Sequence, residues 1–446
     1  MEIITKNNIK KYSTYKNSGV EWLGEIPEHW EVIKLKYLSE IKTGYTPITS
    51  DSSNFSKNGT IWAKPDNLND FNLIKNSKEK VSSKGIKSQN IIPKNSILVC
   101  CIGTIGKFGI AGVDLITNQQ INSIIFNTKI SNKYGKYLIA NCKSEFNKWA
   151  NGNVVSILNT SAQKNIYFLL PPLSEQTKIA EFLDDKTKKI DEAIAIKTQQ
   201  INLLKERKQI LIHKAVTRGL DTNVKLKNSG VEWIGEIPVH WEVKKVRYVF
   251  NLGKGLTITK ENLRDKGIFC VNYGEIHSKY GFELDTNIHK LKCVNEDYLS
   301  SNSSALISNG DFIFADTSED IEGSGNFTYL KSDNKIFAGY HTVIAKPKFQ
   351  IESRFFAYIF ESESFRNQIR TKVKGVKVYS ITQSILKQPY VWFPSKEEQK
   401  EIVDYLDLGT KKIATAIGLK SEEIEKLKEY KSSLINSVVT GKVRVC

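Results

Sequence analysis

Apolar residues recur at seven-residue intervals over two long stretches of the chain. In the first stretch, Ser174, Glu175 and Gln176 favour a helix start, and neither Pro nor Gly occurs again before Gly219. The pattern predicts one amphipathic helix over 173–219, about 60 Å long at roughly 1.5 Å per residue. Its apolar seam is formed by Leu183, Ile190, Ile194, Ile201, Leu204, Leu211 and Ala215.

The same pattern returns 223 positions later, as the pair Leu183 and Leu406 illustrates, and predicts a second helix from Lys396 to Gly441. The second seam is formed by Leu406, Ile413, Ile417, Ile424, Leu427, Leu434 and Val438. One long amphipathic helix is ordinarily a core helix. Two copies of it indicate that the whole architecture is duplicated.

A second repeat supports the duplication. Residues 17–32 read NSGVEWLGEIPEHWEV and residues 228–243 read NSGVEWIGEIPVHWEV. We call these two segments the clasps, because their Gly, Pro and paired Trp residues predict ordered, non-helical structure. The chain order is therefore clasp, globular segment, helix, and then the same again. The clasp at the N-terminus should meet the end of the second helix.

The globular segments are rich in predicted strands, among them 97–102, 123–126, 311–315 and 342–345. Each segment also has a predicted short helix, over 133–150 or 353–372. These features predict an α+β protein with a pseudo-twofold internal repeat. The predicted divisions are globular segments at 1–172 and 220–395, and helical segments at 173–219 and 396–446.

Charge favours a polyanionic partner. The chain carries a net charge of +17, and residues 1–172 alone have 22 Lys, no Arg and 12 acidic residues. A basic excess concentrated in a globular segment is typical of nucleic-acid binding. A lysine-rich genome-wide composition is the alternative explanation.

Motifs for catalysis and for targeting are missing from the sequence. It contains neither GxxxxGK[ST] nor a GxGxxG after a strand, and Pro171-Pro172 lacks the preceding Asp or Asn of an amino-methylating site. Pro65-Asp66 lacks the Glu-x-Lys of a metal-dependent nuclease. Six cysteines without metal spacing predict reduced thiols. With no long apolar run or signal-peptide stretch, the sequence predicts a cytoplasmic protein without membrane contact.

The six histidines are scattered along the chain. His29 and His240 lie at matching positions in the two clasps. We interpret them as structural hydrogen-bonding residues rather than metal ligands or bases.

Polar and aromatic residues that could contact DNA gather in equivalent regions of both globular segments. In the first they are Lys42, Thr43, Gly44, Thr46, Trp62, Lys64, Asn118, Gln119, Gln120, Asn122, Asn151 and Asn153. In the second they are Lys254, Thr257, Asn272, Tyr273, Tyr340, His341, Lys372, Lys374, Lys377 and Tyr379. For any single residue a solvated loop is the simpler interpretation, whereas matched clusters favour DNA contact.

The first segment cannot make the bidentate Arg–guanine contact, because residues 1–172 contain no Arg. Asn and Gln can pair bidentately with adenine. We therefore expect the first half of a DNA target to lean towards adenine. A first half made only of G·C pairs would contradict this.

Taken together, these segments resemble the specificity subunit of type I restriction–modification systems, over almost the whole chain. The resemblance is carried by LLPPLSEQTKIAEFLD at 169–184, FPSKEEQKEIVDYLD at 393–407, the two clasps, NQQIN at 118–122 and GYHTVIAKP at 339–347. It implies two target recognition domains that read a bipartite, asymmetric DNA sequence. It also implies two long antiparallel helices that separate those domains, set the unread spacing and dock partners.

The partners implied by the resemblance are two methyltransferase subunits and restriction subunits with endonuclease and translocase activity. S-adenosylmethionine, ATP and Mg²⁺ are then expected on those partners, and neither a cofactor nor a metal nor a catalytic residue on this chain. Two other classes of function stay open from the residues themselves. These are a self-contained restriction enzyme or methyltransferase, and a coiled-coil scaffold without a DNA role.

Lysine interrupts both helical seams at matching positions, Lys197 and Lys208 in the first and Lys420 and Lys431 in the second. If the helices pack antiparallel about their centres, Lys197 approaches Lys431 and Lys208 approaches Lys420. These like charges should turn outward towards solvent, DNA phosphate or an acidic partner. Replacing all four by Leu should then raise thermal stability.

Overall fold

The computed structural model describes residues 10–86, 91–152, 155–373, 375 and 378–445. The chain forms two compact units. Unit 1 comprises Met1–Lys197 with Glu422–Cys446, and unit 2 comprises Thr198–Ser421. Each long helix is thus divided between the units, and each unit contains a strand-rich segment with parts of both helices.

Unit 1 contains twelve named strands and three short helices before its long helix. The strands are β1 (Tyr15–Asn17), β2 (Glu25–Pro27), β3 (Glu31–Lys34), β4 (Ser39–Thr43), β5 (Phe55–Ala63), β6 (Leu73–Ile74), β7 (Lys80–Val81), β8 (Ile97–Cys100), β9 (Phe108–Ala111), β10 (Ile116–Thr117), β11 (Ile121–Phe126) and β12 (Tyr167–Leu170). The helices are α1 (Asn132–Asn141), α2 (Lys143–Lys148), α3 (Thr160–Lys164) and the long α4 (Leu173–Arg218), which continues into unit 2.

Unit 2 has a similar series of elements. Its strands are β13 (Leu226–Asn228), β14 (Glu236–Pro238), β15 (Glu242–Lys245), β16 (Phe250–Lys254), β17 (Ile268–Val271), β18 (Phe282–Leu284), β19 (Lys292–Val294), β20 (Leu306–Ile307), β21 (Phe312–Ala315), β22 (Thr317–Ser318), β23 (Phe327–Leu330), β24 (Ile336–Ala338), β25 (Thr342–Pro347), β26 (Tyr379–Ser380) and β27 (Tyr390–Phe393). Its helices are α5 (Val246–Val249), α6 (Tyr273–Ser278), α7 (Tyr298–Ser301), α8 (Ser353–Glu361), α9 (Glu363–Arg370), α10 (Gln383–Leu386) and the long α11 (Lys396–Val439), which continues into unit 1.

The main sheets of the two units have the same topology. Five strands run in the order β4-β11-β8-β9-β6 in unit 1 and β16-β25-β21-β23-β18 in unit 2. In both sheets only the last pair, β6 with β9 or β18 with β23, is parallel. A second, smaller sheet holds a parallel pair in each unit, β5 with β10 and β17 with β24. The predicted internal repeat and α+β class are confirmed.

Each predicted short helix is two helices. In unit 1 the break falls at Cys142, whose ψ of 5° leaves the helical region. In unit 2 it falls at Ser362, which is extended (ψ 143°) and whose hydroxyl accepts a hydrogen bond from the Phe365 amide. Ser is a preferred N-cap residue, so a new helix starts there. The sequence-based prediction missed these local hydrogen bonds.

The long helices pack antiparallel within each unit. In unit 1, Lys197 Nζ lies 2.5 Å from a Glu423 carboxylate oxygen and Lys431 Nζ lies 2.7 Å from Asp191. In unit 2 the Leu211 side chain packs against Gly409, where an added Cβ would come within 2.6 Å of it. All the predicted seam residues are buried or half-buried, as the seven-residue pattern requires.

The expected approach of Lys197 to Lys431 is wrong. The partner of Lys431 is Asp191, six residues before Lys197, so the register is offset by nearly one heptad from the centred arrangement. This offset places a carboxylate opposite each of these two lysines. Lys208 and Lys420 are half-buried. Because Lys197 and Lys431 face carboxylates rather than each other, a gain in stability on replacing all four lysines by Leu is no longer expected.

The clasps hold the helix ends in the same way in both units. In unit 1, His29 Nε2 lies 2.6 Å from a Glu175 carboxylate oxygen and Trp30 Nε1 donates to the other at 3.1 Å. In unit 2, His240 and Trp241 make these bonds to Glu398 at 2.8 and 3.0 Å. Both histidines thus make hydrogen bonds, as their interpretation from the sequence required.

Each clasp also covers the end of the other helix. Clasp 17–32 packs on Gly441, where a Cβ would lie 2.4 Å from Pro27, and the Tyr15 hydroxyl donates to the Gly441 carbonyl at 3.2 Å. Clasp 228–243 packs on Gly219 through Trp241. Both glycines have a left-handed backbone, φ +72° and +70°, which glycine adopts readily at a helix end. The predicted meeting of the N-terminal clasp with the second helix is confirmed.

Candidate nucleic-acid interface

A tight glycine turn follows the first strand of the main sheet in unit 1. The Gly44 amide donates to the Ile121 carbonyl at 3.0 Å, and the Tyr45 amide donates to the Thr117 carbonyl at 2.9 Å. A Cβ on Gly44 would lie 2.2 Å from that Thr117 oxygen, so only glycine fits. The Asn118 amide donates to the Ala63 carbonyl at 3.0 Å and brings the end of β5 alongside.

Unit 2 repeats this arrangement. The Gly255 amide donates to the Thr342 carbonyl at 3.1 Å, and the Leu256 amide donates to the Ala338 carbonyl at 2.8 Å. The Gly339 amide donates to the Val271 carbonyl at 2.7 Å. We call the two arrangements the turn clusters. They comprise residues 42–46, 62–66 and 117–121 in unit 1, and 253–257, 270–273 and 338–342 in unit 2.

The backbone bonds define which positions are equivalent in the two clusters. Asn118, Gln119 and Gln120 correspond to Gly339, Tyr340 and His341, since each triplet precedes the strand whose first carbonyl receives the glycine turn. Lys64 corresponds to Asn272, because each caps the short helical turn that follows the smaller sheet. The predicted candidates around these positions are thus brought together within each unit.

Several candidates in the unit 1 turn cluster support the backbone. Trp62 is only 3% exposed, its Nε1 donates to the Tyr45 carbonyl at 3.2 Å, and Lys64 Nζ lies 4.1 Å from its ring centroid. Asn118 is 6% exposed and bonds Gln120. These side chains position the turn rather than project from it.

Other candidates of unit 1 project from the same surface. Thr43, Thr46 and Gln119 are exposed, and Lys42 is half-buried with Gly44 and Gln120. The Thr46 hydroxyl donates to the Gln119 side-chain carbonyl. This surface therefore combines amide, hydroxyl and ammonium groups.

The loop that contains Gly152 is hydrogen-bonded to the unit 1 turn cluster through Cys101. Asn151 and Ile157 exchange backbone hydrogen bonds at 3.1 and 2.9 Å across the loop. The next residue, Leu158, donates to the Cys101 carbonyl at 2.9 Å, and the Cys101 amide donates to Gln120 at 2.8 Å. Asn151 is exposed there. Asn153 lies outside the described residues.

The unit 2 turn cluster carries a group of aromatic rings. Tyr273 lies 5.7 Å from Tyr340 and 5.3 Å from His341 between ring centroids, in edge-on arrangements. Burial raises the pKa of Tyr340, so its hydroxyl keeps its proton and can donate. Lys254 and Thr257 of the same cluster are exposed, whereas Asn272 is 2% exposed and caps α6 through Glu275.

Tyr379 reaches the same region through a short strand pair. Residues Thr317–Ser318 pair with Tyr379–Ser380, and the Ile381 amide donates to the Asp316 carbonyl at 2.7 Å. Asp316 in turn contacts the His341 ring at 3.1 Å. Lys372 is exposed at the end of α9, and Lys374 and Lys377 lie outside the described residues.

The second glycine loop also matches the first. A Cβ on Gly152 would lie 2.1 Å from the Val155 carbonyl oxygen, and one on Gly375 would lie 2.1 Å from that of Val378. Glycine is required at both positions because the chain returns on itself three residues later.

Sequence reasoning missed two positioning groups. Asn122, expected near DNA, is 1% exposed, and its amide donates to the Leu158 carbonyl and to Gln163 while its oxygen accepts from Thr43. Asp316 holds His341 and was not among the candidates. Its signal in the sequence is a carboxylate directly after the apolar run FIFA, where a buried strand ends.

The buried thiols near the clusters are unsuited to nucleophilic chemistry. Burial raises the pKa of the Cys101 thiol to about 12 and that of the Cys270 thiol further. A thiol must lose its proton to attack, so neither is activated. Within the described ranges, no three His, Cys, Asp or Glu residues are grouped to hold a metal ion. No helix there is long and apolar enough to cross a membrane.

Comparisons with known proteins match the duplicated fold. Residues 27–206 and 238–428 match the family described as type I restriction modification DNA specificity domain. The chain is 25% identical over 433 residues to the type I restriction enzyme MjaVIII specificity subunit of Methanocaldococcus jannaschii, covering 94% of each chain. It is also 25% identical over 440 residues to the MjaIX specificity subunit of that organism, covering 95% of each.

A solved structure shares the fold. It belongs to work titled as the structural basis of complex assembly and conformational transition of the type I R-M system. The two chains superpose with a TM-score of 0.70 at 13% sequence identity, covering 93% of this chain and 98% of the other.

Proposed function

Because this chain belongs to the family of type I restriction–modification DNA specificity domains, we propose that it is the DNA-reading specificity subunit of a type I complex. Each unit reads one part of a bipartite, asymmetric sequence in double-stranded DNA. The observation that carries the proposal is the pair of turn clusters. One backbone arrangement recurs in both units and presents different side chains, which suits a two-part target with unlike halves.

The chemical steps are assigned to partners. Two methyltransferase subunits would bind S-adenosylmethionine and methylate adenine, and restriction subunits would use ATP and Mg²⁺ for cleavage. This chain would bind none of these cofactors and would supply sequence recognition alone. Its net charge of +17 suits contact with the phosphate backbone.

An apolar stripe in unit 2 supports partner docking. Leu203 and Ile210 are seven residues apart on α4 and are 56% and 47% exposed. They lie one position before Leu204 and Leu211, two half-buried residues of the seam. Exposed apolar residues in a regular stripe mark a protein-binding surface. We assign this stripe to a methyltransferase subunit.

The docking assignment is tested by replacing Leu203 and Ile210 with Asp. Co-purification with the methyltransferase subunits should weaken by about tenfold or more, because buried apolar contacts carry much of an interface's affinity. DNA binding by the chain itself should be unchanged. The matched control replaces Lys205, an exposed residue on the same helix, with Asp. Unchanged co-purification of the Leu203 and Ile210 variant would contradict the assignment.

The DNA-reading function is tested by selecting duplexes from a randomised pool with the purified chain and sequencing what is retained. The expected result is a two-part motif separated by an unread gap. Retention should fall steeply with added salt, since phosphate contacts release counterions. Recovery of no motif, or binding of S-adenosylmethionine by the isolated chain, would contradict the proposal.

A further inference from the structure

The two turn clusters differ in the hydrogen-bonding group held at one equivalent position. We propose that Gln120 and His341 are specificity-determining residues of opposite polarity: Gln120 presents an amide donor to the DNA base edge, and His341 presents a ring-nitrogen acceptor. The inference rests on the proposed DNA-reading function and adds which base edges the two units accept.

The two residues occupy the same place in their clusters. Gln120 immediately precedes Ile121, whose carbonyl accepts from the Gly44 amide at 3.0 Å. His341 immediately precedes Thr342, whose carbonyl accepts from the Gly255 amide at 3.1 Å. Each therefore lies immediately before the second strand of the outermost antiparallel pair of its main sheet, β4 with β11 or β16 with β25.

The orientation of the Gln120 amide is fixed by a chain of two hydrogen bonds. The Gln120 backbone N–H donates to Asn118 Oδ1 at 3.2 Å, which assigns the oxygen of the Asn118 side chain. Asn118 Nδ2 must then be the donor to Gln120 Oε1, at 3.0 Å. Because Asn118 is only 6% exposed, this anchor is held by the protein interior.

The consequence is that Gln120 shows its donor side. Its carbonyl oxygen already accepts from Asn118, and the Nε2 group, with two hydrogens, is directed away from that bond. The hydrogen bonds among the described residues leave this Nε2 group available. Gln120 is half-buried, so the donor is presented from a fixed position rather than from a free side chain.

His341 is held in the opposite sense. Its Nδ1 lies 3.1 Å from Asp316 Oδ1, and a carboxylate only accepts hydrogen bonds, so Nδ1 carries the proton. In the neutral ring, Nε2 is then an acceptor. The side chain is 57% exposed, which leaves this nitrogen open to a ligand.

Backbone bonds lock the His341 position. Its φ of +55° is a left-handed conformation that is rare for a residue other than glycine, and the Asp316 amide donates to its carbonyl at 3.0 Å. Asp316 is fixed in turn by its carbonyl bond from Ile381 at 2.7 Å and by a 2.7 Å bond from the Thr317 hydroxyl. A strained residue held by this many bonds indicates a functional position.

The hydrogen-bonding groups on the major-groove edges of the bases determine which bases match these two polarities. Guanine presents O6 and N7 acceptors, thymine presents O4, and adenine presents the N7 acceptor beside its N6 donor, whereas cytosine presents only the N4 donor. The base read by Gln120 should therefore be one with an acceptor, namely guanine, thymine or adenine, and cytosine should be excluded. The base read by His341 should be adenine or cytosine.

The test uses the full-length chain and the same randomised duplex pool. In Gln120→Glu, one carboxylate oxygen can still accept from Asn118 while the other replaces the NH₂ group. Cytosine, excluded at the affected position by the unaltered chain, should now be selected there, by about tenfold in relative enrichment. Gln120→Leu should lose the preference at that position without inverting it.

The second unit provides both a control and an independent arm. Preferences in the half-site read by unit 2 should be unchanged in either Gln120 variant, which shows that the chain is folded and bound. His341→Leu should instead flatten one position of that other half-site. The unaltered chain must select adenine or cytosine there.

The outcomes separate the inference from the proposed function. If the unaltered chain enriches no motif, the DNA-reading function falls and the inference with it. If a motif is enriched but Gln120→Glu keeps the same base preference, or either position shows the opposite polarity, only the inference is overturned. If Gln120→Glu enriches neither half-site, Gln120→Leu and His341→Leu provide the test. Each variant identifies one position of the motif by losing the base preference there, and the inference is overturned if the unaltered chain selects a base of the opposite polarity at that position.

Discussion

Each globular segment is joined to a long helix by a tyrosine–aspartate hydrogen bond, and we call these two contacts the helix joints. The two units share more of their chemistry at the helix joints than at the turn clusters. In unit 1 the Tyr137 hydroxyl donates to Asp184 at 2.6 Å, and in unit 2 the Tyr358 hydroxyl donates to Asp407 at 2.6 Å. At the turn clusters, by contrast, Asn-Gln-Gln at 118–120 corresponds to Gly-Tyr-His at 339–341. The joints keep this tyrosine–aspartate pair, while the clusters keep their backbone bonds and change these side chains.

The difference follows from two tasks: the helix joints hold the fold together, and the turn clusters are proposed to contact DNA. A joint must place a globular segment on the helices, and both units face the same geometric problem. In the proposed function, a turn cluster presents groups to DNA, and the two halves of the target are unlike. Glycine is retained at 44 and 255 because a close backbone approach requires it, whereas the neighbouring side chains are free to differ.

The largest effect should come from breaking one turn cluster. In Gly255→Ala the new Cβ would lie 2.1 Å from both the Gly339 carbonyl oxygen and the Thr342 hydroxyl, so the turn must open. We expect a loss of about 1–3 kcal/mol in the free energy of unfolding, the usual range for overpacking. Selection from the duplex pool should lose one half-site and keep the other.

Gly418→Ala is the control for this change, because its Cβ would meet nothing within 4 Å on α11. It should be neutral or slightly stabilising, as alanine favours a helix. The comparison fails if Gly255→Ala leaves both half-sites intact, or if it removes both while the chain stays folded by circular dichroism.

A smaller effect should follow from weakening a clasp. Burial alone would raise the pKa of Glu175, but the hydrogen bonds from His29 and Trp30 outweigh it, so its pKa lies below the ordinary 4.5. A lowered folded pKa stabilises the fold above the ordinary value, and this contribution is lost as the pH falls through the lowered one. Glu175→Gln should cost about 1–2 kcal/mol at neutral pH.

Urea unfolding as a function of pH checks this expectation. The loss of stability on acidification below about pH 4.5 should be shallower in Glu175→Gln than in the unaltered chain. Glu398→Gln removes the matching carboxylate of unit 2 and should cost a similar amount at neutral pH. An unchanged acid limb in Glu175→Gln would show that the Glu175 carboxylate does not stabilise the first clasp.

The smallest effect is expected from removing the tyrosine hydroxyl of each helix joint. Tyr137→Phe and Tyr358→Phe each remove one hydroxyl that bonds an aspartate, at 2.6 Å in both units. Each should lower the free energy of unfolding by about 1 kcal/mol, and the two losses should be alike. Tyr405→Phe, at a residue that is 47% exposed, is the control. Losses that differ by more than twofold would show that the joints are not equivalent.

The order and pairing of the large elements could be predicted from the sequence because the sequence repeats them. The seven-residue seams gave α4 and α11, and the sixteen-residue clasps indicated which helix ends they cover. Repeats report what both units share. The helix break at Ser362 was missed because it depends on one local capping bond, which periodicity does not reveal.

The candidate sites were predictable only in outline. Gln120 and His341 could be named from polar residues before a strand, but their polarity depends on Asn118 and on Asp316, which no pattern links to them. The register of the helix pair was missed for a related reason. A seam fixes which side of a helix is buried, whereas the pairing of Lys431 with Asp191 also depends on how far one helix is shifted along the other.

In the proposed function, two domains with the same fold recognise unlike halves of a single DNA target. Mapping methylated adenines in the DNA of cells that contain this chain with its methyltransferase partners tests it most directly. The expected result is one asymmetric, two-part motif with an unread gap of constant length. A continuous motif, or two identical halves, would contradict it.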